Sequence, residues 1–493
     1  AGYLFSFIHP LEVLGNCTRV SKHWHSLALG ESLWAHLCHL HFQLKPLRSD
    51  SSAPPSDKKK EEEPKPKQQI GFPPLPPTSI GLHGAEEKAP RPARSSAAAW
   101  ASWYRQYRGI GLDPVFTKLK VSRRVASTWA LLKGWLSQNL PGAAASLKGG
   151  AKEDEIREAE ELAGGSLPEV VKELYRVFDG QSLDYDELKL TGERDSAYEH
   201  QRWLGILGGY NVYQHTVNTR MLPLRHAMHW TRYARERLHN ITNTMLLVFC
   251  SFNFSKMYFL DAKDGGIYLV NTRNERFLAY PVASADAILL WLREYTRRLL
   301  EGIYGIGPII PFMLERSKGI SLFPLKGPER THKVTRSVHI ASSVIYMPEH
   351  SQGWTYSIRM RLLTPDEEGY MTPEARGFTR CQLTTRHWVI EKEDDTPQHV
   401  RGRGVIGIFP ILTEGGWVLN RWSDPHRQYG RVEEKEVKGE FIYQSCTGSF
   451  PRGKEGSFRG DMNFVPNIES APEGDEFQVE VKAFPMGYPK YLY

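Results

Sequence analysis

Apolar residues recur every three or four positions in the middle of the chain, which is typical of helices with one buried face. In the first of these stretches Ile156, Ala159 and Ala163 share a face, and a Gly164-Gly165 pair supplies a stop. The spacing predicts three helices, over residues 153–163, 167–180 and 285–300. Short apolar runs between them predict strands, over residues 246–252, 256–261 and 267–270. This mixture predicts an α+β domain over residues 98–305.

The hydrophobic period changes to two beyond residue 325. Tyr356, Ile358, Met360 and Leu362 alternate with polar residues, which indicates a half-buried antiparallel strand. Similar alternation predicts further strands over residues 334–340, 388–390 and 477–481. Several short strands separated by turn residues predict an antiparallel β-sandwich over residues 325–493.

The first hundred residues divide into two parts of opposite character. Residues 46–97 are rich in proline and charge and nearly free of aromatic side chains, so they cannot bury enough surface to offset the entropy of ordering. We predict a disordered linker there. Residues 1–45 show helical spacing but carry more large apolar side chains than so short a segment can bury alone, which predicts a docking partner. The chain opens without Met inside this apolar pattern, and we expect its N-terminal part to be truncated.

Composition narrows the class of protein. Of 493 residues, 40% are hydrophobic and 24% are charged, which excludes a wholly disordered or membrane-embedded chain. No run approaches the roughly 18 apolar residues of a membrane span, and we predict no membrane association. The five cysteines form no CxxC pair, which favours a reducing compartment, the cytoplasm or the nucleus.

Two segments have residues that suggest a metal site and a nucleic-acid site, but other features of each segment argue against that function. His36, Cys38, His39 and His41 are close together, but they do not share one helix face and no second cluster completes a tetrahedral set, so we predict no metal. A basic aromatic run over residues 229–239 has the composition that stacks bases. A solvated helix face explains that run equally well, and the net charge of +7 is concentrated nowhere else, so nucleic acid is not a predicted partner.

A glycine-rich run has two open interpretations. Residues 402–407 satisfy G-x-G-x-x-G, but Pro410 follows and no helix can begin there, which excludes a dinucleotide site. The glycines either permit a bulge or close strand approach, or their N–H groups form an anion-binding nest with neighbouring arginines. The candidate anion-binding residues are Arg401, Gly402, Arg403, Gly404 and Gly407.

The N-terminal segment resembles an F-box, the motif that docks on the Skp adaptor of SCF-type ubiquitin ligases. The resemblance rests on Val20-Ser21-Lys22-x-Trp24 and on Ser32-Leu33-Trp34. The opening Leu-Pro turn of the family has no counterpart in the chain. The resemblance implies these adaptor-binding residues: Phe7, Ile8, Pro10, Leu11, Leu14, Val20, Trp24, Leu33 and Trp34.

Two further resemblances concern the larger domains. Leu167-Pro168, Leu174-Tyr175 and Asp179-Gly180 resemble the SUKH superfamily, a protein-binding scaffold. Arg386-x-Trp388-x-Ile390, the glycine-rich run and residues 443–447 occur in the order found in the ApaG domain, a β-sandwich. Gly456-Ser457-Phe458 departs from the usual Gly-x-Met of that domain, and residues 417–439 carry a charged insertion.

The order of these parts resembles plant F-box proteins, and it implies a non-catalytic substrate receptor of an SCF ubiquitin ligase. The resemblance implies Skp and cullin as partners, an unknown protein substrate and no cofactor. Two alternatives stay open: a sensor of anions or phosphorylated ligands that uses the glycine loop, and an interaction scaffold outside ubiquitination.

Overall fold

The computed structural model describes residues 119–182, 201–393, 395–419, 436–448 and 455–493. The predicted helical segment 1–45 and the predicted linker 46–97 lie outside the described residues. Residues 125–493 make up one compact unit of the chain. Within the described residues, no helix is long and apolar enough to cross a membrane.

An eight-stranded sheet lies at the centre of the described part of the α+β region. Its strands are β1 (Gly209–Val212), β2 (His215–Met221), β3 (Met245–Ser251), β4 (Met257–Asp261), β5 (Ile267–Val270), β6 (Arg276–Leu278), β7 (Gly305–Pro308) and β8 (Lys318–Ser321). They lie in the order β6-β5-β4-β3-β2-β1-β8-β7, and β1 runs parallel to β8 while the other neighbours are antiparallel. Every residue of β3 is buried, as expected of a central strand that reads as a continuous apolar run.

The predicted helices are confirmed and pack around this sheet. The helices are α1 (Val121–Asn139), α2 (Pro141–Ala145), α3 (Glu153–Leu162), α4 (Glu169–Val177), α5 (Leu224–Arg235), α6 (Ala287–Leu300) and a 3₁₀ turn at Pro311–Ser317. In α3 the predicted inward residues Ile156 and Ala159 are buried. The predicted inward face of α6 is buried in full, at Ile288, Leu289, Leu292, Tyr295 and Leu299.

The C-terminal region is the predicted β-sandwich. Its elements are β9 (Arg330–Thr335), β10 (Val338–Met347), β11 (Gly353–Leu362), α7 (Pro373–Arg376), β12 (Cys381–Lys392), β13 (Gln398–Arg403), β14 (Pro410–Thr413), β15 (Gly416–Leu419), β16 (Glu436–Lys438), β17 (Phe441–Thr447), β18 (Gly456–Ile468), β19 (Ala471–Pro472) and β20 (Phe477–Met486). One sheet has the order β17-β11-β10-β9, and the other has the order β16-β15-β14-β12-β18-β19, with β13 added to β12 and β20 added to β18.

Aromatic side chains fill the space between the two sheets. Tyr356 of the first sheet lies 4.6 Å from Phe458 of the second, measured between ring centroids. Phe458 in turn contacts Trp388 at 5.2 Å and Phe484 at 5.0 Å. All four side chains are at most 4% exposed, so this cluster is the core that joins the sheets.

A buried carboxylate joins the sandwich to the α+β region. Glu349, in the turn between β10 and β11, accepts a hydrogen bond from the Tyr210 hydroxyl, and its Oε1 lies 3.2 Å from His215 Nε2. Lys256 Nζ is 3.8 Å from its Oε2, and the side chains of Lys256 and Glu349 are both 0% exposed. Burial by itself raises the pKa of Glu349, but the Lys256 charge and the bonds from His215 and Tyr210 outweigh it, so the pKa lies below its ordinary value.

The segment after β20 returns to the α+β region and strengthens this joint. Trp291 Nε1 donates to the main-chain oxygen of Leu492 at 2.9 Å, and the Tyr493 hydroxyl donates to Trp291 O at 3.1 Å. The Tyr493 and Trp291 rings stack with centroids 5.2 Å apart. Lys256 also donates to the main-chain oxygen of Tyr493, so the same buried lysine contacts both Glu349 and the segment after β20.

Replacing Glu349 with Gln should destabilise the unit strongly, because Lys256 would lose its counter-ion while burial already lowers its pKa, so the buried amine would be either charged and unpaired or deprotonated. We expect a loss of about 3–5 kcal/mol in the free energy of unfolding, measured by urea titration with circular dichroism. The folded pKa of Glu349 lies below its ordinary value of 4.5. This contribution is therefore present above that pH and is lost as the pH falls through the folded pKa.

Two control variants separate the buried pair from charge in general. Glu480→Gln breaks an exposed pair with Lys333 and should cost less than about 1 kcal/mol. The double variant Lys256→Met/Glu349→Leu removes both buried charges and should recover most of the loss. Wild-type stability in Glu349→Gln would contradict this account of the joint.

Candidate functional site

The glycine-rich run forms a tight hairpin turn on the sandwich. The N–H of Val405 donates to Ile408 O at 2.9 Å, and the N–H of Ile408 donates to Val405 O at 2.8 Å. The two central residues, Ile406 and Gly407, have φ angles of 44° and 76°. Two left-handed residues in a two-residue loop indicate a type I′ turn, which suits the twist of a hairpin.

Three N–H groups of the hairpin are bonded within the protein. The Gly404 N–H donates to Thr384 O at 2.8 Å, and those of Val405 and Ile408 bond within the turn. These three donors face protein acceptors rather than a ligand. The predicted anion site therefore lacks these three main-chain donors, and it stays a prediction.

A polar groove of about 580 Å³ lies beside the hairpin on the outer face of the larger sheet. Strand pairing builds it, because His387 of β12 lies opposite Arg401 of β13 on one side and opposite Asp461 of β18 on the other. The groove is lined by Thr385, Arg386, His387, Arg401, Gly402, Arg403, Asp461, Asn463 and Gln478. Of the predicted anion-binding residues it contains Arg401, Gly402 and Arg403, whereas Gly404 and Gly407 do not line it.

The three arginines of the groove differ in the partners that their side chains have. Arg386 donates to the main-chain oxygens of Arg403 and Gly404, so its side chain holds the backbone that leads into the hairpin turn. Arg403 pairs with Glu469 and lies 5.6 Å from the Phe409 ring. Arg401 is exposed, and within the described residues its guanidinium makes no hydrogen bond or ion pair. Arg401 is therefore the cation in this groove that is available to a ligand.

Two histidines and an aspartate form a hydrogen-bonded chain, of which His387 and Asp461 line the groove. His387 Nδ1 lies 3.2 Å from Asp461 Oδ2, and His387 Nε2 lies 2.9 Å from His399 Nδ1. The two imidazole rings stack at 5.2 Å. Such a chain orients His387 and can relay a proton. Among the described residues, no cluster of three His, Cys, Asp or Glu side chains is placed to hold a metal ion.

The thiols of Cys381 and Cys446 are not activated. Burial raises the pKa of the Cys381 thiol far above its ordinary value, and burial also raises the pKa of Cys446. A raised pKa keeps the thiol protonated, which disfavours nucleophilic chemistry.

The predicted adaptor-binding residues lie outside the described residues, so their roles stay predictions. Sequence reasoning missed the groove residues His387, Asp461, Asn463 and Gln478. Alternation with the buried Trp388 and Met462 indicates that His387 and Asp461 point outward. The pattern contains no signal that places β18 beside β12.

Three family models match successive parts of the chain. An F-box-like model matches residues 3–40, the SMI1/KNR4 family (SUKH-1) matches residues 150–289, and the ApaG domain matches residues 347–417. The three resemblances seen in the sequence are thereby confirmed.

A relative that matches most of the chain shows the family to which the chain belongs. The F-box protein SKIP16 of Arabidopsis thaliana is 31% identical over 425 residues, which cover 82% of this chain and 86% of the relative. The chain belongs to the SKIP16 family of F-box proteins.

More distant matches to this F-box protein follow. F-box only protein 3 of Homo sapiens is 23% identical over 308 residues, which cover 59% of this chain and 56% of that protein. A crystal structure of the putative ApaA protein from Bordetella pertussis is 21% identical and covers 33% of this chain and 99% of that chain, with a TM-score of 0.21.

Two glycines of the hairpin provide a matched test of its geometry. Both have positive φ, but a Cβ on Gly404 would lie 2.5 Å from Ile408 O, whereas a Cβ on Gly407 would meet nothing within 4 Å. Gly407→Ala should cost about 1–2 kcal/mol for its backbone angle alone. Gly404→Ala should cost about 1–3 kcal/mol more because of the close contact. Thermal denaturation of the two variants measures the difference, and equal stability would show that the turn is built differently.

Proposed function

We propose that this F-box protein is the substrate-recognition subunit of an SCF-type ubiquitin ligase. The F-box-like match at residues 3–40, in a chain that resembles SKIP16 over most of its length, carries the proposal. The F-box would bind a Skp adaptor and, through it, a cullin. The two folded domains would bind a target protein and present it for ubiquitination and degradation.

The arrangement of parts supports a receptor rather than an enzyme. A predicted linker of about 50 residues would span roughly 35–45 Å as a random coil and would let a bound target reach the conjugating enzyme. The gain in rate would come from effective concentration and not from bond chemistry on this chain. We propose that the protein works in the cytoplasm or the nucleus.

Co-purification with purified Skp and cullin tests the adaptor contact. The double variant Trp24→Ala/Leu33→Ala removes two large apolar side chains of the F-box-like segment and should reduce Skp capture by at least tenfold. Arg401→Ala, which lies in the sandwich groove, is the control and should capture Skp like the wild type. Failure of the wild-type chain to retain Skp and cullin, or equal capture by the double variant, would refute the receptor function. Skp capture without cullin would instead favour a scaffold outside ubiquitination.

A second function, the binding of an anionic ligand, is favoured by one observation. Within the part of the chain that the structure describes, Arg401 presents an unpaired guanidinium in a polar groove, which is also lined by Asn463 and Gln478, whose amide groups can donate hydrogen bonds. Gly404 is a poor position for testing this function, because any side chain there collides with Ile408 O.

Calorimetry with pyrophosphate and with dinucleoside polyphosphates tests the anion site. We expect Arg401→Ala to weaken binding at least tenfold, since it removes the available charge. Arg459→Ala, which removes a sandwich arginine already paired with Glu391, should not change the affinity. If no ligand gives binding heat, the anion-binding function is refuted and only the receptor function remains.

A further inference from the structure

An aromatic surface lies on the α+β region, far in sequence from the sandwich groove. Trp230 and Tyr233 lie on the outer side of helix α5, with ring centroids 5.3 Å apart. Phe254, from the turn between β3 and β4, packs against Trp230 at 4.3 Å. Tyr233 is 44% exposed, whereas Trp230 and Phe254 are half-buried. We call these three side chains the aromatic ledge.

The backbone holds one member of the ledge in an unfavourable conformation. Phe254 has a φ angle of 59°, in the left-handed region that bulky residues avoid. The turn is held there by hydrogen bonds, from the Phe254 N–H to Ser251 O at 3.0 Å and from the Lys256 N–H to Ser251 Oγ at 3.0 Å. Strain of this kind persists where the surroundings enforce it and is common at binding sites. Here it places the Phe254 ring beside Trp230.

The rim of the ledge is basic. Arg237 lies over the Tyr233 ring, 3.4 Å from its centroid. Arg232 is also exposed, on the flank of the helix beyond Tyr233 and away from Trp230. Arg235, by contrast, turns inward and donates to the main-chain oxygens of Asn243 and Met245. Glu236 is the one carboxylate within this stretch of the described chain, and it neutralises only part of the charge. We call Arg232 and Arg237 the basic rim.

The packing of the ledge favours a protein partner over nucleic acid. Base stacking needs an open aromatic face. Arg237 already covers the Tyr233 ring, and Trp230 is packed against both Tyr233 and Phe254. A combination of Trp, Tyr and Arg around a small apolar surface is typical of the centres of protein interfaces.

We propose that the aromatic ledge binds an acidic peptide segment of a target protein. An apolar side chain of the peptide would pack on Trp230 and Phe254, and its carboxylates would face the basic rim. Charge complementarity selects this occupant, because an acidic segment offsets the excess of arginine that the ledge carries. As a substrate surface, the ledge rests on the receptor function proposed above.

A peptide selection on the full chain tests this proposal. A phage-displayed library of random 16-residue peptides should yield sequences with two or more Asp or Glu residues near an aromatic or leucine side chain. Fluorescence anisotropy then measures the affinity of the selected peptide. The charge reversal Arg232→Glu/Arg237→Glu should weaken binding at least tenfold, and raising the salt from 50 to 300 mM should weaken binding to the wild type. Trp230→Ala should weaken it also, with circular dichroism confirming that the variant is folded.

A matched control distinguishes the effect of the basic rim on peptide binding from the effect of net charge. Lys482→Glu/Arg459→Glu makes the same change of net charge on the sandwich and should leave peptide affinity unchanged. Selected peptides without acidic residues, or equal binding to the rim variant, would overturn the proposal. Comparable, rim-dependent affinity for a 12-nucleotide single-stranded RNA would overturn the choice of a protein ligand. A dimer in sedimentation that the rim variant abolishes would assign the ledge to a second copy of the chain.

Skp capture on the same preparations keeps the two proposals apart. Acidic peptides that bind a chain unable to capture Skp and cullin would support the ledge as a peptide site and refute the receptor function. Skp capture without selection of acidic peptides would leave the receptor function intact and refute the ledge.

Discussion

The contact between Glu349 and Lys256 is the constraint on which the described architecture depends. Both side chains are fully buried, so removing either charge would leave the other without its counter-charge in a place where solvation by water is lost. Glu349 belongs to the sandwich, whereas Lys256, Tyr210 and His215 belong to the sheet of the α+β region. The hydrogen bond from Lys256 to Tyr493 O adds the returning end of β20 to the same cluster. Separation of the two regions would return both charges to water and break the hydrogen bonds that Glu349 and Lys256 make across the joint.

This joint has a consequence for recognition. Two domains that share a buried ionic cluster and a stacked Trp291–Tyr493 pair keep a fixed geometry, so the groove and the aromatic ledge belong to one body. In the proposed receptor, freedom of movement would then come from the predicted linker over residues 46–97 and not from the recognition domains. Such a division suits a protein that holds a target firmly while delivering it over a distance.

Both candidate surfaces are made by side chains that the core does not use. Trp388 and Met462 fill the sandwich, and the next residues along the same strands, His387 and Asp461, meet on its outer face. In helix α5 the buried side carries Met228 and Thr231, and the opposite side carries Trp230 and Tyr233. The alternation that builds each core thus also determines which side chains remain for binding.

The amino-acid sequence by itself determined the α+β region, the β-sandwich and the three family resemblances, because hydrophobic period and short motifs are local properties. It also determined the inward faces of α3 and α6. Only the tertiary structure decided that Lys256, a residue type that patterns place at the surface, is fully buried, and that the Gly404 N–H bonds to Thr384. The placement of Arg401 and Asp461 on either side of His387 was likewise decided there. Each of these depends on which strands become neighbours, and that choice is made by long-range packing, which leaves no periodic trace along the chain.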